Sequence, residues 1–284
     1  MTASPWAFEF EPSVVLLVVG LAGAYAWAAR SLGPRLAPRP EAPVSRRQAV
    51  TFGGGVASLW LALGWPMHGL AEDYLYSAHM AQHLVLGLIS APLLVSGTPG
   101  WMVRALFGRG FLFGALRFVS RPLVAFLVYN VAIVLIHWPT AVQWMSDSEP
   151  IHGMLHLVML AAGLVMWMPI LSPVAEIPRL APPANLLYLF LHSILPTVPA
   201  SFLTFGKTVL YKHYESVPRL WDISAIADQQ VAGLMMKIGA GFLMWGMIAV
   251  LFFAWQAEDE PGHRPDELDF DELQLELTRM GTTA

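Results

Sequence analysis

The sequence contains no cysteine, and this absence excludes several kinds of site at once. Disulfides, thiolate metal centres, iron–sulfur clusters and cysteine nucleophiles all need a thiol. Charged residues are scarce as well, at 13% of the 284 residues, whereas an average soluble domain has about 25%. The net charge of -4 does not favour nucleic acid as a partner, because such binding usually needs a basic surface.

Apolar residues make up 56% of the chain, which points to a lipid bilayer as the solvent. A transmembrane helix needs about 20 predominantly apolar residues, and the apolar runs here are continuous, as in helices, and not alternating. Residues 1–256 are expected to form one transmembrane domain, and residues 257–284 an acidic tail. We predict an all-α, polytopic membrane helix bundle of about seven transmembrane helices, near residues 13–30, 48–68, 74–97, 121–139, 152–172, 185–205 and 227–256.

Arginine and lysine are distributed unevenly among the loops, and this predicts the orientation. Arginines cluster in the loop after the first segment and in the loop between the third and fourth: Arg30, Arg35, Arg39, Arg46 and Arg47, then Arg104, Arg109, Arg117 and Arg121. By the positive-inside rule these loops are cytoplasmic. The N-terminus is then outside and the tail is cytoplasmic, in the inner (plasma) membrane. The connection before the last segment, with Lys207, Lys212 and Arg219, fits this rule poorly.

Two pairs of histidines lie at the starts of predicted segments. His79 and His83 are in the third segment, and His152 and His156 are in the fifth. Residues at i and i+4 lie on one face of a helix, and this spacing presents two imidazoles to one metal ion. Asp228 opens the seventh segment, either as a ligand or as the partner that fixes a histidine tautomer. We therefore predict one metal site at the outer membrane face.

Other groups near this face refine the prediction. His68 and His137 close two further segments and are expected to be hydrogen-bonded boundary residues. His192 lies mid-span, far from the pairs, and is expected to bond a neighbouring helix. Lys237 must pair or reach a water-filled cavity. Several methionines also lie close to these groups in the sequence: Met67, Met80, Met154, Met235 and Met236. A mixture of histidine and methionine ligands suits copper. A proton or hydrogen-bond network is the alternative use of the histidine pairs.

Several stretches carry a resemblance to a known family: SAHMAQH (77–83) with APLLVSGTP (91–99), HGMLH (152–156) with WMP (167–169), LYKHY (210–214) and DQQVAGLMM (228–236). With them the chain resembles the CtaG family of cytochrome c oxidase assembly factors, the polytopic type associated with caa-type oxidases. The resemblance implies copper handling at the outer face during oxidase maturation, with oxidase subunits as partners. It points to the same residues: His79, His83, His152, His156 and Asp228.

The leading interpretation is a non-enzymatic assembly factor that binds and delivers copper. Two other classes stay open: a membrane metalloenzyme or haem-binding redox protein, with one haem between the third and fifth segments, and a copper or proton transporter. No glutamate stands beside either histidine pair to act as a base, as one does in a zinc-protease helix, and this weighs against a hydrolase. The ionisable groups gather at one face and do not line a path across the membrane, which weighs against a transporter.

Overall fold

The computed structural model describes residues 4–38 and 42–259, and in these residues it contains helices and no strands. Within this part of the chain, the helices long and apolar enough to cross a membrane are Pro12–Leu36, Arg46–Asp73, Tyr76–Gly97, Glu149–Leu171, Pro182–Phe205 and Ala225–Ala257. The bent helix pair Phe111–Val119 and Pro122–Ile136 is a seventh candidate span. The prediction of an all-α polytopic bundle is confirmed. The predicted acidic tail lies almost entirely outside the described residues.

This candidate span differs from the others because its two helices are bent by 79° relative to each other. Pro122–Ile136 has 15 residues, which is about 22 Å at 1.5 Å per residue and less than the roughly 30 Å of the hydrocarbon core. The preceding helix exposes Phe111, Leu112 and Phe118. Exposed apolar side chains beside arginines are typical of a helix that lies in the membrane interface. We interpret Phe111–Val119 in this way.

The centre of the bundle is a close crossing of two helices, which we name the first histidine helix (Tyr76–Gly97) and the second histidine helix (Glu149–Leu171). A Cβ atom on Gly163 would lie 3.1 Å from the Cα of Gly87 and 3.1 Å from the Cβ of Ala91. Small residues at such a point let two membrane helices approach closely. Trp167 Nε1 then donates a hydrogen bond to the Gly87 carbonyl, at 2.9 Å. The crossing therefore fixes the two helices relative to each other.

Two of the spans contain a π-helical turn near this crossing. Val85–Ser90 interrupts the first histidine helix directly after its histidines, and Met235–Gly239 interrupts the last span. The turn at Met235–Gly239 packs against the Tyr76–Leu84 part of the first histidine helix. Single π turns are frequent at functional sites in proteins. The position of the two π turns therefore indicates a functional site near His83.

Candidate metal site

Several helix ends meet at one end of the bundle, which we name the histidine end. The spans that begin there include Tyr76–Gly97, Glu149–Leu171 and Ala225–Ala257, and the helices that end there include Arg46–Asp73 and Pro122–Ile136. His79 and His152 lie in the first turns of their helices. The next histidine of each helix follows one turn later, so both pairs project into the space between these ends.

The histidines of the two pairs are adjacent in space. His79, His83 and His156 each offer a ring nitrogen, and these nitrogens lie within 4.8 Å of one another. His152 lies next to them, with its ring centroid 4.4 Å from that of His156 and 5.4 Å from that of His79. A metal–nitrogen bond is about 2.0–2.1 Å long, so a modest inward movement of the rings places them around one ion. We name these four residues the histidine cluster.

The ring nitrogens of the cluster are available to a ligand. Among the described residues, no hydrogen-bond partner contacts Nδ1 of His79, either nitrogen of His83, or Nε2 of His152 and His156. All four side chains are at most 6% exposed. Buried polar atoms without partners are rare in native proteins and usually have a ligand, an ion or a water as their explanation. The donor set therefore fits a metal ion.

Glu72 orients one histidine of the cluster, and sequence reasoning missed it. Its carboxylate pairs with Nδ1 of His152 and also lies 3.4 Å from Nε2 of His68. Donation of the Nδ1 proton to a carboxylate leaves the lone pair on Nε2, as in many metal-binding histidines. A glutamate therefore stands beside one histidine pair in three dimensions, although neither pair has one at the position that a zinc-protease helix gives to its base. The one sequence signal was the i,i+4 spacing of His68 and Glu72 at the end of the second span.

Asp228 is buried and engaged with the backbone of the first histidine helix. Its carboxylate oxygens accept hydrogen bonds from the amides of Tyr76 and Ser77, at 2.6 and 3.1 Å. The residue at the helix's own cap position, Leu75, makes no side-chain cap bond. A carboxylate at a helix N-terminus satisfies free N–H groups and interacts favourably with the helix dipole. Among the described residues, Asp228 is not part of the group of converging ligand atoms, and its carboxylate instead caps the helix that carries His79.

The connection that contains the LYKHY stretch closes the histidine end. The Tyr211 hydroxyl donates a hydrogen bond to the backbone carbonyl of His137, at 2.8 Å. Burial raises the pKa of Tyr211 to about 12, so the phenol stays protonated and remains a donor. Nε2 of His213 donates to the backbone carbonyl of Glu72, at 2.9 Å. This stretch therefore holds two of the helix ends that surround the cluster.

The two remaining buried histidines each bond to their own helix. His137 donates from Nδ1 to the carbonyl of Ile133, at 2.8 Å, and its ring centroid is 5.1 Å from that of His83. His192 donates from Nδ1 to the carbonyl of Tyr188, at 2.9 Å. The prediction that His192 bonds a neighbouring helix is therefore wrong. In both residues the proton on Nδ1 leaves the lone pair on Nε2.

Lys237 has an aromatic partner. Its ammonium nitrogen lies 5.4 Å from the ring centroid of Phe205, within the range of a cation–π interaction. The side chain is half-buried in the π turn of the last span. Lys237 was expected to pair with another group or to reach water. Its contact with the uncharged Phe205 ring meets this expectation in part.

Two cavities reach the cluster from the histidine end. One measures about 220 Å³ and has His79 and His152 in its wall, with acidic side chains around them: Glu72, Asp73, Asp147 and Glu149. Among its lining residues there is no lysine or arginine, so its potential attracts cations. The other measures about 670 Å³, is mostly apolar, and reaches His152 and His156 between Pro12–Leu36 and the second histidine helix.

Comparison with known proteins gives a consistent result. A family model described as cytochrome c oxidase caa3 assembly factor (Caa3_CtaG) matches residues 23–258. The matched range includes the four histidines of the cluster, Glu72 and Asp228. A search of curated proteins and a search of solved structures each found no match. Because the match spans most of the chain, the chain belongs to the cytochrome c oxidase caa3 assembly factor family.

Proposed function

We propose that this assembly factor binds copper in the histidine cluster and delivers it to the oxidase as the enzyme is assembled. Family membership supports the role in oxidase assembly, and the membrane-spanning helices support a position in the lipid bilayer. The observation that carries the copper proposal is the convergence of ring nitrogens from His79, His83 and His156, together with their lack of other partners.

The chemistry of the donor set favours copper over the common hard cations. Magnesium and calcium prefer oxygen ligands, whereas imidazole suits copper and zinc. The client is a cytochrome c oxidase, an enzyme that contains copper, and a factor that matures it has a use for that ion. Copper is here a cargo, so its ligands must also release it. Neutral imidazoles close to a helix-end opening meet that need better than a closed site of charged ligands.

The path to the cluster is consistent with delivery at one membrane face. The acidic cavity collects cations beside His79 and His152, and the cluster begins in the first turns of the two histidine helices. We assign the histidine end to the outside of the inner membrane, because the arginine-rich loops lie at the opposite ends of the spans. The N-terminus is then outside and the C-terminus cytoplasmic.

Glu72 bears on the competing proposal of a metal-dependent hydrolase. Such an enzyme needs a carboxylate that is free to take a proton from metal-bound water. The Glu72 carboxylate is instead shared between His152 and His68. Its geometry therefore favours the orientation of a ligand, which supports a role without catalysis.

The test is the double substitution His79→Ala with His83→Ala, with Gln82→Leu as the matched control. Gln82 is buried on the same helix but bonds the carbonyl of Ala62, away from the cluster. We expect the purified histidine variant to lose copper, measured by elemental mass spectrometry, and its cells to accumulate oxidase polypeptides without active enzyme. The control should keep both properties.

Two results would contradict the proposal. Normal oxidase maturation by a histidine variant that accumulates in the membrane would make these histidines structural. An absorption spectrum that shows haem in purified wild-type protein, with no copper retained, would favour a redox role for the same bundle.

A further inference from the structure

A smaller cavity lies next to the histidine cluster, deeper in the bundle, and we name it the deep cavity. It measures about 30 Å³, which is room for one ion or one water molecule and far below the roughly 300 Å³ of a pocket for an organic ligand. Its wall contains three histidines and four methionines, all of them buried: His83, His137, His192, Met80, Met159, Met236 and Met244.

His192 is the clearest sign that the deep cavity has an occupant. The side chain is 1% exposed and lies against the rings of Phe126 and Tyr129, at 4.7 and 5.6 Å. Since Nδ1 donates to the carbonyl of Tyr188, the lone pair is on Nε2. No hydrogen-bond partner contacts this Nε2 among the described residues. A buried acceptor of this kind in the wall of an ion-sized space is a position where an ion or a water molecule is expected.

Two further imidazoles connect the deep cavity to the histidine cluster. His137 also donates from Nδ1 to its own helix, and its buried Nε2 has no described partner. His83 belongs to the converging nitrogens of the cluster and also lines the deep cavity. A neutral imidazole has one lone pair, so His83 serves one ion at a time. When both positions are filled, His83 therefore binds only one of the two ions, and its ring is the group through which an ion can pass from one position to the other.

The walls of the deep cavity select the kind of ion. Methionine sulfur is a soft ligand that prefers Cu(I). The four methionine side chains come from three spans, and one of them, Met236, is in the π turn of the last span. No carboxylate lines this cavity in the described part of the chain, in contrast to the acidic cavity at the histidine end. Neutral ligands in a dry interior favour a singly charged ion, because the cost of burying an ion rises steeply with its charge.

We propose that the deep cavity is a second metal site, which holds one Cu(I) ion through His192 and methionine sulfur and exchanges it with the histidine cluster through His83 and His137. The assignment of copper as the physiological ion rests on the proposed function. The proposal of a site for a soft monovalent ion at this position does not rest on the proposed function, and it can be tested separately.

The test is an anaerobic titration of the purified full chain with Cu(I), in competition with a coloured Cu(I) chelator. The wild-type chain should bind two equivalents, and X-ray absorption at the copper edge should show both nitrogen and sulfur neighbours. The variant Met236→Leu with Met244→Leu should lose one equivalent and the sulfur signal. Met→Leu conserves volume, so it disturbs packing little. Met168→Leu is the matched control, since Met168 is buried in the second histidine helix but does not line the deep cavity.

A second variant separates this proposal from the proposed function. His79→Ala with His156→Ala should lose the other equivalent and keep the sulfur signal. If this variant keeps both equivalents while the methionine variant loses one, the cluster is not the copper site and the deep site stands. If the methionine variant keeps both equivalents, or if the wild-type chain binds copper through nitrogen alone, the deep cavity holds only water and the proposal of a second site is wrong.

Discussion

Replacement of Asp228 tests whether this residue positions the first histidine helix or binds the metal. In Asp228→Ala the amides of Tyr76 and Ser77 lose their acceptors. A buried donor left without a partner costs about 1–3 kcal/mol, and the loss of a capping bond to a less buried amide costs about 0.5–2 kcal/mol. Tyr76 is fully buried and Ser77 only partly, so a total of roughly 2–5 kcal/mol is expected. For a chain of this size the melting temperature should fall by roughly 5–15 °C.

Asp228→Asn gives a graded version of the same change. The side chain is nearly isosteric and keeps one oxygen that accepts a hydrogen bond, but it loses the charge that interacts with the helix dipole. We expect about half the destabilisation of the alanine variant. Asp222→Asn is the control, because Asp222 is exposed at a φ of 56°, a conformation that asparagine adopts as readily as aspartate.

The assay is thermal unfolding of the purified chain in detergent, in the absence of metal, followed by titration of the same samples with copper. A positioning role lowers the melting temperature of the metal-free protein and weakens copper binding only as a consequence. A ligand role lowers copper affinity while the metal-free protein melts normally. A metal-free Asp228→Ala protein with an unchanged melting temperature would therefore refute the argument from the helix cap.

Two other predictions concern packing and topology. Gly163→Leu should force the two histidine helices apart, lower the melting temperature and reduce copper binding. Gly153→Leu is the control and should be tolerated, because nothing lies within 4 Å of a Cβ at that position. Equal melting temperatures for the two variants would contradict the close crossing. Reporter fusions after Gly33 and after Asp147 should report opposite sides of the membrane, and a report from the same side would overturn the assignment of the histidine end to the outside.

The parts of the fold that follow from local composition were predictable. Long apolar runs indicate spans because hydrocarbon leaves a backbone no hydrogen-bond partner outside its own helix. The histidine pairs follow from the 3.6-residue period of the helix. The short length of the helix Pro122–Ile136 was less predictable, because the apolar stretch 121–139 continues past the end of the helix at Ile136.

The parts of the site that depend on distant partners were not predictable from one sequence. Asp228 reaches the amide of Tyr76 across 152 positions in the chain, and the proximity of Glu72 to His152 depends on how two spans pack. Hydrogen bonds to backbone amides leave no pattern in side-chain types. The contact of Gly163 was not predictable either. A glycine in an apolar helix indicates a close contact but does not show which helix it contacts.

The distribution of ionisable groups along the two histidine helices favours storage and delivery of an ion over its transport across the membrane. Beyond His83 the next ionisable residue of the sequence is Arg104, and beyond His156 it is Glu176, so neither histidine helix carries one through the rest of its span. A transporter for a metal ion or a proton needs polar groups along its whole path. An ion that reaches the depth of His192 meets only uncharged side chains on these two helices beyond it, and its lowest-cost exit is the route by which it came. On these two helices, the proposed copper ion would therefore enter and leave at the same end of the bundle.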